Sequence, residues 1–410
     1  MSTTPLPQLT LLNPGPVNVH PDVRAGMTSP DQCHRESEPL ALLARTRRKA
    51  TQISGGTPED HTAAIFTGSG TAALEAAFAS IVPPTGRILI LDNGHYGARL
   101  WRIVSANGVP HQRLEFGWTN PIDLKTLDRT LAEDPGLTHV GLVQHETSTG
   151  QLNPVREIGE IVARHGRRLA VDAISSLGSE RFDLVEDHVD WVVATANKCL
   201  EGLPGVSFVA GRRDRFEELK DVPARGFYLD LYSNWSSQKG KGVPAFTPAV
   251  QVLTAFEVAL DRSIEEGTVE RGKRYLHLAE LIRAGLTERG CEFLLPPEHR
   301  ANSCTNVYIP HGIAYTDLHD TIKAEGYVIY ATQEQLPGVF RVANMGQLTE
   351  SDVTGFLEAF DRAVEKLKPI DILRAELACR GTAVVGGVVE RLSEILADGP
   401  ARYRSSARHV

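Results

Sequence analysis

From residue 63 to residue 211 the chain alternates short apolar runs with amphipathic stretches: RILILDN, then GARLWRIVSANG, then HVGLVQHE, then REIGEIVARHG. A short, wholly apolar run suits a strand buried on both faces, and apolar positions at helical spacing suit a helix lying over it. The alternation therefore predicts an α/β domain with a mostly parallel sheet covered by helices on both sides. Before it, a polar loop DQCHRESE at 31–38 precedes a predicted helix over about 39–53. Earlier still, Pro5, Pro7, Pro14, Pro16 and Pro21 fix an extended arm over 1–20, of which the first eight residues read equally well as a tail.

After the alternating region the pattern changes. Residues 223–248 contain GFYLDLYSNW and then SQKGKGVPAFTP, whose composition predicts a loop. A helical region over about 249–290 follows, with Leu253, Phe256, Val258 and Leu260 partly buried, bridging to short strands at NVYIP, YVIYAT and VFRVAN. A helix at TDLHDTIKAEG and a last helix opened by Thr349 and Asp352 complete a small α/β domain. The expected organisation is an arm (1–20), a large domain (21–255), a smaller C-terminal domain (256–368) and a tail (369–410). The tail's spaced apolar positions suggest one or two short amphipathic helices, and Arg402, Arg404 and Arg408 give it a basic end.

Candidate chemistry clusters where the predicted strands stop. In WVVATANKCLEGLPG (191–205) an apolar run ends at Asn197 and Lys198; in RLAVDAISS another ends at Asp172. Ligands of open α/β sheets sit at the carboxyl ends of the strands. A lysine there is by itself only a solvated charge. An aspartate and a lysine ending successive buried strands, however, suit pyridoxal phosphate: the carboxylate keeps the pyridine nitrogen protonated and the amine forms the Schiff base. Such a site needs a phosphate cradle. Residues 63–81, AAIFTGSGTAALEAAFASI, offer a strand, then Gly68, Ser69, Gly70 and Thr71, then an alanine-rich helix whose first N–H groups can face an anion. Taken alone, that turn is also an ordinary helix start.

The strings TGSGTAALEA, NGHYGAR, VQHETSTGQLNP, VDAISSLGS, ANKCLEGLPG and FRVANMG, in that order over about residues 10–368, resemble the class V, fold-type I aminotransferases. The resemblance implies a large domain with a seven-stranded, mostly parallel sheet and a smaller C-terminal α/β domain. It implies pyridoxal 5'-phosphate as cofactor, held by Ser69, Gly70, Thr71, Asp172 and Lys198, with Tyr96 flat against its ring and the Thr147 hydroxyl on its phenolic oxygen. By the residues alone, Tyr96 is core filler and Cys199 a small buried filler; His145 and Glu146 receive no role, because one lysine suffices as proton shuttle. The resemblance further makes Arg341, in VFRVAN, a fork for a substrate carboxylate or phosphonate, although such an arginine can also point out from an edge strand. It brings Gly15 of the Pro-Gly-Pro turn to the substrate and makes Arg35, otherwise a surface charge, a second cation. Asn13 stands where the family commonly has threonine, which leaves its role open.

It also implies a homodimer in which Thr247 touches the neighbouring subunit's cofactor phosphate, so that the site is shared. ANKC, HETSTG and LDLY lean toward the branch acting on aminophosphonates, with 2-aminoethylphosphonate as donor and pyruvate as acceptor. Transaminases moving amino groups from alanine or serine to glyoxylate, or from serine to pyruvate, share the same lysine, aspartate and arginine. A cofactor-binding protein that has lost turnover is the alternative from another class.

Bulk composition narrows the rest. The 410 residues are 41% hydrophobic and 23% charged, as expected for a globular chain with room for two domains. A net charge of -8 speaks against a nucleic-acid partner, though a pocket for small anions can still be locally basic. Five widely spaced cysteines and the absence of HExxH among 14 histidines suggest neither a disulfide framework nor a metal. No apolar stretch reaches membrane-spanning length and the first residues do not read as a signal peptide, so a cytoplasmic home is expected.

Overall fold

The computed structural model describes residues 7–240 and 242–368. Expectations for the first six residues and for the tail at 369–410 lie outside the described residues.

The apolar runs form one sheet of seven strands: β1 (His61–Thr67), β2 (Arg87–Asp92), β3 (His111–Glu115), β4 (Leu137–Val143), β5 (Arg168–Asp172), β6 (Trp191–Thr195) and β7 (Val206–Arg212), in the order β1-β7-β6-β5-β4-β2-β3. Only β7 runs against its neighbours β1 and β6; the other pairings are parallel. The period-2 geometry of a strand sorts each run between two cores. Leu89, Leu91, Leu142, Val171 and Val192 enter one hydrophobic cluster, while Ile88, Ile90, Val143, Ala170 and Val193 enter the other. Helix α1 (Ser37–Ile53) covers the first face, and α2 (Gly70–Ser80) and α3 (His95–Ala106) cover the second. The predicted α/β class and the predominantly parallel sheet are both present.

The helical region expected over 249–290 consists of two helices, α4 (Val250–Glu266) and α5 (Thr268–Glu288). Gly267, at φ +78°, turns the chain between them in a conformation that side-chain-bearing residues rarely adopt. A second difference concerns 231–240: the helix Leu231–Gly240 continues through SQKG, and the described loop begins only at residue 242. Leu231, Asn234, Trp235 and Gln238 are its buried positions, and this helical spacing outweighs the turn-like composition. Gln238 ties the helix to β1, its amide accepting from Ile65 N–H at 2.9 Å and donating to Ile65 O at 2.8 Å.

A smaller sheet orders β8 (Cys304–Tyr308), β10 (Val339–Ala343) and β9 (Tyr330–Ala331), with β10 in the centre. The closing helix α6 (Glu350–Leu367) starts with the expected capping box between Thr349 and Asp352. The run YVIYAT divides: Tyr330–Ala331 joins β10, whereas Tyr327–Val328 pairs in parallel with Thr10–Leu11 of the arm. That pairing, with Leu12 fully buried, ties the arm from residue 10 onward to the smaller sheet's surroundings.

Candidate active site

The carboxyl edge of the large sheet gathers the sequence candidates. β5 ends in Asp172, whose carboxylate is 2% exposed; Oδ1 accepts from Ile174 N–H at 2.9 Å and Oδ2 from Arg99 Nη2 at 3.1 Å. β6 runs on to Lys198, which is half-buried. Burial and the nearby Arg341 and Arg99 guanidinium groups bring its amine down to about 8. Lys198 Nζ donates to the carbonyl of Pro14. A Cβ built on Gly15, at φ +95°, would stand 2.5 Å from Lys198 Cδ and 2.8 Å from Nζ, so only glycine lets the turn approach. Asn13 has a role here: its Nδ2 donates to Pro16 O at 2.8 Å and closes the turn.

β1 ends at Thr67, and α2 begins three residues later with Ser69 as its N-cap residue. The Ser69 side chain makes no capping bond, which leaves first-turn N–H groups, at the positive end of the helix dipole, open to an anion. Ser69 O accepts from Ser207 Oγ at 3.0 Å, fixing the turn to β7. Tyr96 and Arg99 lie one helical turn apart at the start of α3, with Arg99 Cζ 4.6 Å from the Tyr96 ring centroid.

Thr147, 2% exposed, follows β4, and its carbonyl accepts from Arg341 Nη1 at 3.3 Å. Arg341 sits in the central strand β10, only 5% exposed, and does not point outward. Its Nε and Nη2 donate to Ala331 O at 3.0 and 2.8 Å, yet no carboxylate pairs with it among the described residues. Thus the smaller sheet delivers a buried cation to the lysine of the large one.

Two residues are not drawn in. Arg35 is exposed and makes no hydrogen bond or ion pair among the described residues. Thr247 is exposed as well, in a loop where Phe246 packs on Tyr228 and Phe227, at 4.6 and 5.7 Å between ring centroids. Among the described residues no cluster of His, Cys, Asp or Glu is arranged to hold a metal ion.

Two contributors to the site, Arg99 and Glu146, lie outside the roles expected from sequence. Glu146 is fully buried and accepts from Tyr96 N–H and Gly97 N–H, both at 3.0 Å, and from Ser148 Oγ at 2.5 Å. It caps α3 from another element and so sets the entry of Tyr96; burial pushes its own carboxyl up. A cap supplied from 50 residues away leaves no local sequence signal. Arg99 did leave one, since it stands three residues after Tyr96 and shares its helix face. Beside Glu146, His145 is buried with Nδ1 3.0 Å from Ser175 O, and desolvation lowers its imidazole to about 4. A carbonyl only accepts, so this neutral ring donates from Nδ1.

The residues present fit pyridoxal phosphate: an uncapped helix start for the phosphate, a buried carboxylate for the ring nitrogen, and an amine against which a glycine turn packs. Comparisons with known proteins agree. Residues 22–334 match the family model for aminotransferase class-V. A 2-aminoethylphosphonate–pyruvate transaminase of Syntrophobacter fumaroxidans is 34% identical over 360 residues, covering 87% of this chain and 96% of that one. The enzyme of the same name from Phocaeicola vulgatus is 31% identical over 363 residues, covering 88% and 98%. Among solved structures, alanine–glyoxylate aminotransferase from Nostoc sp. superposes with a TM-score of 0.82 at 26% identity, over 89% of this chain and 97% of that one. With its sheet, its lysine and its relatives in accord, the chain belongs to the class-V aminotransferases.

Proposed function

We propose that the protein transfers the amino group of 2-aminoethylphosphonate to pyruvate, giving phosphonoacetaldehyde and alanine. The names of the two relatives point to this donor and acceptor. The observation that carries the reading is Arg341, a buried guanidinium with no carboxylate partner among the described residues, whose charge acts on the Lys198 amine. A charge so placed needs an anion, and both an aminophosphonate and an oxo acid bring one.

Bound pyridoxal phosphate would supply an aldehyde for the lysine and an electron-withdrawing ring. The protein supplies the rest. Ser69, Gly70 and Thr71 would hold the phosphate at the start of α2, Asp172 would hold the ring nitrogen, Tyr96 would pack on the ring, and Thr147 would offer a hydroxyl to its phenolic oxygen. Arg341 fixes the substrate anion and thereby points the amine-bearing carbon at Lys198. With its amine brought down to about 8, Lys198 Nζ has a useful unprotonated fraction near neutral pH. Its place beside the substrate-binding arginine suits it to take the proton from that carbon and to hold it for return. The Pro14 carbonyl and the close Gly15 backbone restrict where Nζ can go.

The working unit in this reading is a homodimer. Phe227 is 85% exposed and Tyr228 48%, and with Phe246 they form an aromatic surface beside Thr247 that a second copy would cover. Thr247 would then reach the partner's phosphate site, and Arg35 is available as a second cation from an exposed position. No helix among the described residues is long and apolar enough to cross a membrane, and a cytoplasmic setting is part of the proposal.

The test is the visible spectrum of the cofactor-loaded protein as 2-aminoethylphosphonate is added without oxo acid. Bleaching of the loaded form, reversed by pyruvate with release of alanine, is the expected result. A loaded protein that ignores this amine but bleaches with alanine or serine would refute the donor and keep the family chemistry.

A further inference from the structure

Arg99 touches three residues of the proposed cofactor site and belongs to none of the roles above. Its Nη2 lies 3.1 Å from Asp172 Oδ2 and its Nη1 3.4 Å from Thr71 Oγ1, while its guanidinium rests over the Tyr96 ring at 4.6 Å. Its Nε is buried with no hydrogen-bond partner among the described residues. Such an arginine is held by its surroundings and not by one salt bridge: the α3 backbone, the ring face and two acceptors all fix it.

We propose that Arg99 is a positioning residue of the cofactor site, whose task is to keep Asp172 ionised and turned toward the pyridine nitrogen. This rests on the reading of Asp172 and Lys198 as the cofactor's anchors. The physical need is plain. Asp172 is buried, and burial drives a carboxyl toward its protonated form, which could no longer hold a protonated ring nitrogen. The charged groups facing it are Arg99 from α3 and Lys198 from the loop after β6. Lys198 cannot be a constant counter-charge, because its amine titrates and is given over to the cofactor. A guanidinium stays charged at every pH the protein meets. By engaging Oδ2 while the Ile174 amide engages Oδ1, Arg99 also fixes the plane of the carboxylate, and each oxygen keeps a second lone pair for the ring.

The experiment is equilibrium binding of pyridoxal 5'-phosphate to the full chain, comparing wild type with Arg99→Gln, Arg99→Lys, Asp172→Asn and the Arg99→Gln/Asp172→Asn double variant. Arg99→Gln should raise the Kd at least about tenfold, with the loss growing as pH falls from about 8 to about 6 because the unpaired Asp172 takes up a proton. Arg99→Lys, which keeps a charge, should recover most of the affinity. In the Asp172→Asn background, Arg99→Gln should change the Kd by less than about threefold, because the partner is already neutral.

The opposite role makes the opposite prediction. If Arg99 only competed with the ring nitrogen for Asp172, Arg99→Gln would bind the cofactor as tightly as wild type or more tightly, and this inference would fall. An equal loss in both backgrounds would overturn it too, by showing that Arg99 does not act through Asp172. A wild-type chain that does not take the cofactor at all would remove the parent reading as well, so the two failures are distinguishable.

Discussion

Arg341 in β10 and Arg271 in α5 are both arginines withdrawn from water, at 5% and 2% exposure, but their surroundings differ. Arg271 has its own anion: Nε donates to Glu266 Oε2 at 2.7 Å, and Nη1 donates to Cys199 O at 3.0 Å and to Ser263 Oγ at 2.6 Å. Its neighbour Arg274 adds bonds to Glu266 and to the buried Glu201, which also accepts from Tyr275 OH at 2.7 Å. The result is a closed network that pins the backbone next to Lys198 to α5. Among the described residues Arg341 has only carbonyl oxygens as hydrogen-bond partners, and no carboxylate there compensates its charge. A buried cation with its own anion holds the fold together; one without an anion is arranged for an anion from outside.

Substitution at both positions tests that contrast most directly. Arg341→Gln keeps the side chain polar but removes the charge, and kcat/KM for the amino donor should fall roughly 100- to 1,000-fold, equivalent to about 3–4 kcal/mol of transition-state binding. Its folding stability should move by no more than about 1 kcal/mol, because no carboxylate loses a partner. Steady-state kinetics beside chemical denaturation reads both. A variant that unfolds readily yet keeps its kcat/KM would make Arg341 structural and dissolve the contrast.

Arg271→Met should show the converse. Removing one member of a buried, bonded charge group costs about 3 kcal/mol, here moderated because Arg274 still neutralises Glu266. The denaturation midpoint should drop clearly. Turnover of the molecules that remain folded should fall by less than about tenfold, since the change reaches Lys198 only through the Cys199 carbonyl. Full loss of turnover without loss of stability would place Arg271 on the catalytic side of the division.

The difference between these two arginines also explains what the sequence could convey. Arg341 was visible because a charge interrupted an apolar run, FRV, and because family-like strings surrounded it. Asp172 and Lys198 were visible because strand ends are local features. Arg271 was not visible, since RGKRYL on a long helix looks like a solvated face, and only folding brings Cys199 O and Ser263 to it. Glu146 was hidden for the same reason, its amide partners lying about half a hundred residues away. The break at Gly267 was missed because glycine within a helical pattern does not state its own φ. Strand ends and interrupted patterns are legible; closure of a network by distant residues is not.

Glu180 sharpens the comparison at the smallest expected effect, because it is the anionic counterpart of Arg341. It is 2% exposed and accepts from Asn302 N–H at 2.6 Å and Asn302 Nδ2 at 3.1 Å, with no cation in hydrogen-bond contact among the described residues. Arginine cannot shed its charge, but a carboxyl can, and desolvation raises Glu180 from 4.5 to about 7. The sign follows from proton binding. Between pH 4.5 and about 7 the folded chain holds a proton here that the unfolded chain has lost, so this group makes stability fall as pH rises through that window. Glu180→Gln should leave stability unchanged near pH 4.5 and improve it above pH 7 by on the order of 2 kcal/mol, once the Asn302 amide reorients to meet the new side chain. Denaturation curves across that range check the slope. If the Gln variant tracked wild type at every pH, Glu180 would be an ion stabilised where it stands, and lack of a counter-ion alone would no longer distinguish Arg341 as a site waiting for substrate.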